Sequence, residues 1–441
     1  MAERSRRWRL VLVLLGVVLL LAGGILLHRI ADAVRGTPVR EMVGRAGETL
    51  PPVSDTAFLE VAGALAEVDL EAGHRVEILN DGTVYTRLLE DIARARRSVT
   101  VLMYYCEPGN IGNRIAEALA ERARAGVPVF FLADDFGCGE LVADVGEDLA
   151  LAGVRLASFR PVRWYTLHRA QHRNHARTVV IDGVIGYTGG FGIADKWTTR
   201  GSGDQLPWRD TNVRFTGPSV HVVQALFLAS WAETTGALHT EPAFFPDAGA
   251  APGEEAVDGA VAGFFSSEPE LGTTVAERLL ALSIAGAERT LFVANAYFVP
   301  TPILLQLLQV AARRGVDVRI LVPGEETDIP TVLWAGRSLY PALLDAGVRI
   351  WEYQPTMMHA KTLVADGVWS MVGSLNLDNR SIRLNDESGL VVHHAGVGAA
   401  LDSAFLRDLA SAREITLEAV RGEGLLERLR DRLFGVFAAM L

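Results

Sequence analysis

The sequence predicts an α/β protein of two similar halves packed about a pseudo-two-fold axis, preceded by one N-terminal transmembrane helix. Three observations predict it. An uncharged apolar run opens the chain. Strand-length apolar runs then alternate with helix-periodic segments, which implies a mostly parallel sheet with helices outside. The alternation occurs twice, with matching short motifs at matching places.

The opening run, from Leu10 to Leu27, is "LVLVLLGVVLLLAGGILL". It is long enough to span a bilayer as a helix. It exceeds the usual apolar stretch of a cleaved signal peptide and passes through to "LLHRIADA" with no clean cleavage site, so residues 1–30 read as a membrane anchor. Arg4, Arg6, Arg7 and Arg9 precede it, which keeps the N-terminus cytoplasmic and sends the rest of the chain across the membrane. Residues 31–77 carry the turn signals "GTPVR" and "TLPPVSD" and read as linker and lead-in.

The first half is expected over 78–240. It holds a strand at 98–105, a helix at 113–126 ended by Gly126, and a strand at 127–135. A Gly-, Ala- and acid-rich stretch within 241–264 reads as a connector. The second half, 265–441, repeats the order with a strand at 289–298, a helix at 304–315 and a strand at 316–323. "ARAGVPV" (123–129) matches "ARRGVDV" (312–318), and "AGVRL" (152–156) matches "AGVRI" (346–350). The closing helix, "LLERLRDRLFGVFAAML", is amphipathic. It suits either the bilayer surface or the body of the protein.

Composition narrows the function. Lys and Arg total 42 against 53 Asp and Glu, a net charge of −11, the wrong sign for a non-specific nucleic-acid binder. The two cysteines, Cys106 and Cys138, are too few for a disulfide scaffold or a zinc cluster. Each falls just past the end of a predicted strand, and on an oxidising face of the membrane the two could pair.

The chemistry lies in a repeated pattern, "RNHARTVVID" at 173–182 and "MMHAKTLVAD" at 357–366. In each copy a strand starts just after the His. Side chains alternate along a strand, so His175 shares a face with Arg177, and His359 with Lys361. If the halves face each other, two imidazoles and two cations converge on one site. Cations suit a phosphate. One neutral His suits attack on phosphorus, and one protonated His suits donation to the leaving alkoxide, with no metal or other cofactor required. His168 and His172 lack a repeated partner and read as entrance or solvent-facing residues. His393 and His394 read as structural.

At these residues the chain resembles the phospholipase D superfamily, marked by a twice-occurring HxKxxxxD pattern, and within it the bacterial cardiolipin synthase branch. "HAKTLVADG", "VGSLNLDNRS" and "LNDE" carry the likeness in the second half; "DDFGCG", "RNHARTVVIDG", "GYTGGFGIADKW" and "WRDTNVRFTGPSV" carry it in the first. It covers roughly 80–420. The resemblance implies that His175 and His359 are catalytic and that Arg177 and Lys361 bind the phosphate, helped by Ser374 and Asn376. It implies that Glu387 partners the second-half His and Asp210 partners His175, each orienting its imidazole. Asp182 and Asp366 complete the pattern and are expected to be structural.

Arg177 departs from the family Lys, and Gly190 and Gly192 stand where the second half has Ser374 and Asn376. The implied reaction is phosphatidyl transfer between two phosphatidylglycerol molecules, releasing glycerol. The implied place is the bacterial cytoplasmic membrane, with the catalytic part on its outer face. Trp164 and Trp197 are candidates for the membrane interface or the core. Water or phosphatidylethanolamine as acceptor, a nuclease, and a non-catalytic lipid binder are the other readings. No nucleic-acid partner is expected, and the sequence leaves the oligomeric state open.

Overall fold

The structure is a computed structural model. It describes residues 38–43, 50–161, 172–198, 206–246, 257–268, 274–422 and 424–436, with scattered positions between 8 and 24. The anchor expected at 1–30 therefore lies almost wholly outside the described residues. Among the described residues no helix is long and apolar enough to cross a membrane.

The first repeat runs β1 (Glu71–Asn80), α2 (Thr83–Arg94), β2 (Val99–Met103), α3 (Asn110–Arg124), β3 (Val129–Asp134), α4 (Asp135–Leu151), β4 (Arg155–Phe159), β5 (Thr178–Ile181), β6 (Ile185–Gly189), β7 (Thr211–Thr216) and α5 (Ser219–Thr235). A helix before it, Thr56–Ala66, is α1. The second repeat runs β8 (Val257–Ser267), α6 (Val275–Ala285), β9 (Thr290–Asn295), α7 (Pro302–Arg313), β10 (Asp317–Pro323), α8 (Pro330–Arg337), α9 (Tyr340–Asp345), β11 (Arg349–Tyr353), β12 (Lys361–Ala365), β13 (Trp369–Gly373), α10 (Asn379–Arg383), β14 (Glu387–His393) and α11 (Ala395–Leu409). β15 (Ala412–Ile415), α12 (Leu417–Gly422) and α13 (Leu425–Val436) close the described chain.

All the strands form one sheet in the order β15-β11-β10-β9-β12-β13-β14-β8-β1-β7-β6-β5-β2-β3-β4. With β15 set aside, equivalent strands follow one another from either end, and the equivalent strands β1 and β8 meet antiparallel at the centre. That is the arrangement a two-fold axis between them gives. β13 also lies against β6 and β7. In a flat sheet β13 and β6 would be about 24 Å apart, at roughly 4.8 Å per strand. The sheet therefore folds over along its middle. One apolar cluster there takes Val180, Val213 and Phe215 from the first half and Val364, Val372 and Leu390 from the second.

Two expectations are corrected. The sheet is mixed, not mostly parallel: only β2-β3-β4 and β9-β10-β11 run parallel. The crossover helices allow parallel pairing there. The three-residue links between β5 and β6 and between β12 and β13 permit only antiparallel pairing. The lead-in and connector are also more than linkers. Val53, Phe58, Ala62 and Ala66, in and before α1, sit in the core of the second half. The Gly- and Ala-rich connector carries β8, at the centre of the sheet. Its small residues reflect close approach: a Cβ on Gly263 would lie 2.5 Å from the Val68 side chain and 2.7 Å from the Asp69 carbonyl oxygen.

The aspartates of the repeated pattern anchor the hairpins. Asp182 and Gly183, like Asp366 and Gly367, take positive φ, the geometry of a tight hairpin turn. The Asp182 carboxylate accepts from the backbone N–H groups of Arg96, Arg97 and Ser98 at 2.6–3.1 Å. The Asp366 carboxylate accepts from Glu288, Arg289 and Thr290 at 2.7–2.9 Å. Each ties its hairpin to the start of the adjacent strand, β2 or β9.

Candidate active site

Both His segments are clasped by the opposite half. Asn174 pairs with Asp386, and Met358 with Arg209, as isolated parallel bridges. The His175 N–H donates to the Asp386 carbonyl at 2.8 Å, and the His359 N–H to the Arg209 carbonyl at 2.7 Å. The residue after each clasp is the acid. Hence the His175 Nδ1 meets Glu387 at 2.9 Å, and the His359 Nδ1 meets Asp210 at 2.9 Å.

This reverses the pairing implied by the resemblance, which kept each His with the acid of its own half. The reason is topological. β7 and β14 follow the His strands β5 and β12 in the chain. At the seam between the halves, however, the segments leading into them bond to the opposite half's His segment.

His175 and His359 line one cleft of about 290 Å³, together with Tyr104, Arg177, Trp208, Tyr297 and Asn376. The hydrogen bonds fix both tautomers. Arg177 donates from Nη2 to His175 Nε2 at 3.0 Å, and a guanidinium only donates, so that Nε2 accepts. The Lys361 nitrogen lies 3.2 Å from Nδ1 and 3.1 Å from Nε2 of His359, over the ring, and there the Asp210 carboxylate on Nδ1 places the proton. Each ring is therefore neutral, with its proton on Nδ1 facing a carboxylate. Burial, reinforced by Arg177 and Lys361, pushes both imidazoles well below their usual range.

Burial also raises the acids, Asp210 to about 6 and Glu387 to about 7, and lowers the Lys361 ammonium to about 7. The Arg177 Nε and Nη1 atoms and the Asn376 Oδ1 are buried without a hydrogen-bond partner. A phosphate oxygen could take the guanidinium donors.

Other predicted residues fall differently. Ser374 is not in the cleft wall. Its hydroxyl donates to Glu387 and accepts from the Ser388 N–H, so it holds the acid behind His175. The first half has no room for the same device, because a Cβ on Gly190 would come within 2.4 Å of the Asp210 carboxylate. Trp197 takes its place: the indole N–H donates to Asp210 at 2.8 Å. Trp197 is thus a buried member of the site and not an interface residue, while Trp164 lies outside the described residues. His168 also lies outside them. The His172 Nδ1 bonds the Leu384 carbonyl, and His394 caps α11.

Sequence reasoning missed the rings around the imidazoles. Tyr104 stands edge-on to His175 at 4.7 Å, and Trp208 lies 5.3 Å from His359. A tyrosine just past the first parallel strand of each half, in "MYY" and "NAY", was the available signal. Cys106 and Cys138 form a disulfide, their Cα atoms 4.4 Å apart.

Comparison with known proteins identifies the family. Residues 280–409 match the model of a cardiolipin synthase, phospholipase D-like domain. The chain is 31% identical over 387 residues to the cardiolipin synthase of Alkalihalophilus pseudofirmus, covering 87% of this chain and 76% of that one. It is 31% identical over 389 residues to cardiolipin synthase A of Pseudomonas putida, covering 87% and 78%. In fold alone it is similar to a phosphatidylserine synthase from Haemophilus influenzae, with TM-score 0.66, 15% identity, and coverage of 86% of this chain and 97% of that one. With the twin motifs and their shared cleft, these matches place the chain in the cardiolipin synthase family of phospholipase D-like enzymes.

Proposed function

We propose that the protein is a membrane-bound phosphatidyltransferase that joins two phosphatidylglycerol molecules into cardiolipin and releases glycerol. The observation that carries this reading is the pair of Nε2 lone pairs facing one cleft, each imidazole backed by a buried carboxylate and flanked by a buried cation. The relatives' names supply the substrate class.

The phosphodiester anion enters against Arg177, and its charge favours protonation of one imidazole. The other imidazole attacks phosphorus through Nε2. The P–O bond to glycerol breaks, and the protonated imidazole gives its proton to the departing alkoxide. A phosphatidyl-histidine remains. The hydroxyl of a second phosphatidylglycerol then gives its proton to the free imidazole and attacks phosphorus. The P–N bond breaks, and the enzyme is restored.

Glu387 and Asp210 hold the Nδ1 protons and stabilise whichever ring becomes charged. Asn376 and Lys361 assist Arg177 around the phosphate. The N-terminal run holds the catalytic part at the outer face of the cytoplasmic membrane. The Cys106–Cys138 disulfide supports that side, since such bonds persist in oxidising compartments.

The test is product analysis with phosphatidylglycerol vesicles. Cardiolipin and glycerol in equal amounts are expected. Phosphatidic acid as the main product would instead make water the acceptor. His175→Ala and His359→Ala are each expected to lower turnover by at least about 10³-fold, since neither ring has a substitute. Near-full activity in either variant would end the shared-site mechanism.

A further inference from the structure

The last described helix, α13, has two faces with different fates. One packs on α8: the Phe434 ring lies 5.0 Å from Trp334, the Arg430 guanidinium stacks on Trp334 at 4.8 Å, and Asp431 is buried beside Arg430. Phe434 belongs to an apolar cluster with Val299, Val332 and Tyr297, and Tyr297 lines the catalytic cleft. Asp328 and Ile329, just before α8, line it too. The helix therefore packs directly on elements that form the rim of the site.

Its other face carries Leu426, Leu429, Leu433 and Val436 at 81%, 52%, 57% and 77% exposure. Their spacing makes one aliphatic stripe along the helix. Arg428 and Arg432, one turn apart, are exposed along its edge. Asp431 lies buried on the packed side. In a chain of net charge −11, the helix carries Arg428, Arg430 and Arg432 against Glu427 and Asp431, and Glu427 is turned to the helix start, where it accepts from the Gly424 N–H at 3.0 Å. A single convex ridge bordered by arginines suits a plane of hydrocarbon under anionic head groups, as in helices that lie in a membrane interface.

We infer that α13 docks on the surface of an anionic phospholipid bilayer and seats the rim of the cleft against it. The identity of the partner rests on the lipid-substrate reading above. Docking would bring Ile329 and the cleft mouth to the level of the head groups, where a phosphodiester can enter without leaving the bilayer.

The test uses the full chain reconstituted in vesicles. Cys106 and Cys138 are paired, so Leu429→Cys provides a single thiol for an environment-sensitive fluorophore. In vesicles of phosphatidylcholine with phosphatidylglycerol, blue-shifted emission and quenching by doxyl-labelled lipid are expected. Both should weaken when Arg428→Gln and Arg432→Gln are added or phosphatidylglycerol is left out. A blue shift without lipid quenching would mean that a second copy or another protein segment covers the ridge, and would overturn the inference. An unshifted spectrum would do the same. Quenching that ignores both arginines and lipid charge would overturn the anionic assignment.

The triple variant Leu426→Ser, Leu429→Ser, Leu433→Ser should raise KM for vesicle phosphatidylglycerol by about 10-fold or more. Its kcat on short-chain, monomeric phosphatidylglycerol should be unchanged. That monomer assay separates the two ideas. A quenched label on a protein that cannot convert the monomer would sink the catalytic reading alone, and conversion without quenching would sink the docking alone.

Discussion

Lys361 illustrates how buried charge shapes the site residue by residue. Burial, more than any neighbour, lowers its ammonium from 10.5 to about 7, against the opposing pull of Asp210. An unfolded chain would hold that proton to its ordinary pKa. Between pH 7 and 10.5 the unfolded state therefore binds more protons, and native stability rises with pH. Lys361→Met removes the effect. The melting temperature of the native protein, minus that of Lys361→Met, is expected to increase from pH 7 to pH 10. A difference that is flat or falls over this window would show that the ammonium is not held back by burial. The histidines and cations of the site were legible in the sequence because their spacing recurs. Trp197 was not, because its role depends on Gly190 leaving no room for a serine beside Asp210.

At the scale of elements, the hairpins after each His owe their position to one carboxylate. Asp366 serves three backbone N–H groups at the entry to β9, and Asp182 does so at β2. Asp366→Asn can keep the positive φ but accepts through one oxygen, so a loss of about 1–2 kcal/mol is expected. Asp366→Ala adds backbone strain and leaves all three donors unserved, and should cost more. Urea unfolding reads both, and the activity of the folded fraction should survive in each variant. A loss of turnover without a loss of stability would make Asp366 part of the chemistry. The strands and helices that position these hairpins were readable from apolar runs and periodicity, to within a few residues at their ends. β8 was not, because small residues that allow close packing give the same composition as a flexible linker.

Across the whole molecule, the sequence foretold two halves and one site, yet placed each acid with the wrong ring. Motif order along the chain gives no signal for a clasp that crosses the seam, since the bridges at Asn174–Asp386 and Arg209–Met358 join segments about 150 to 210 residues apart. The crossing is open to a direct check. In ring-labelled protein, Glu387→Gln should perturb the ¹⁵N signal of the His175 Nδ1 and leave that of His359 in place. The reverse pattern would restore pairing within each half.

A symmetric pair of separate copies would have to present identical groups on both sides of its cleft. Joining the copies in one polypeptide lifts that constraint. One ring has Arg177 beside it and Glu387, held by a hydroxyl, behind it; the other has Lys361 beside it and Asp210, held by an indole, behind it. With unlike walls, the two rings need not be equally easy to protonate, and a fused chain can assign attack to one side and proton delivery to the other.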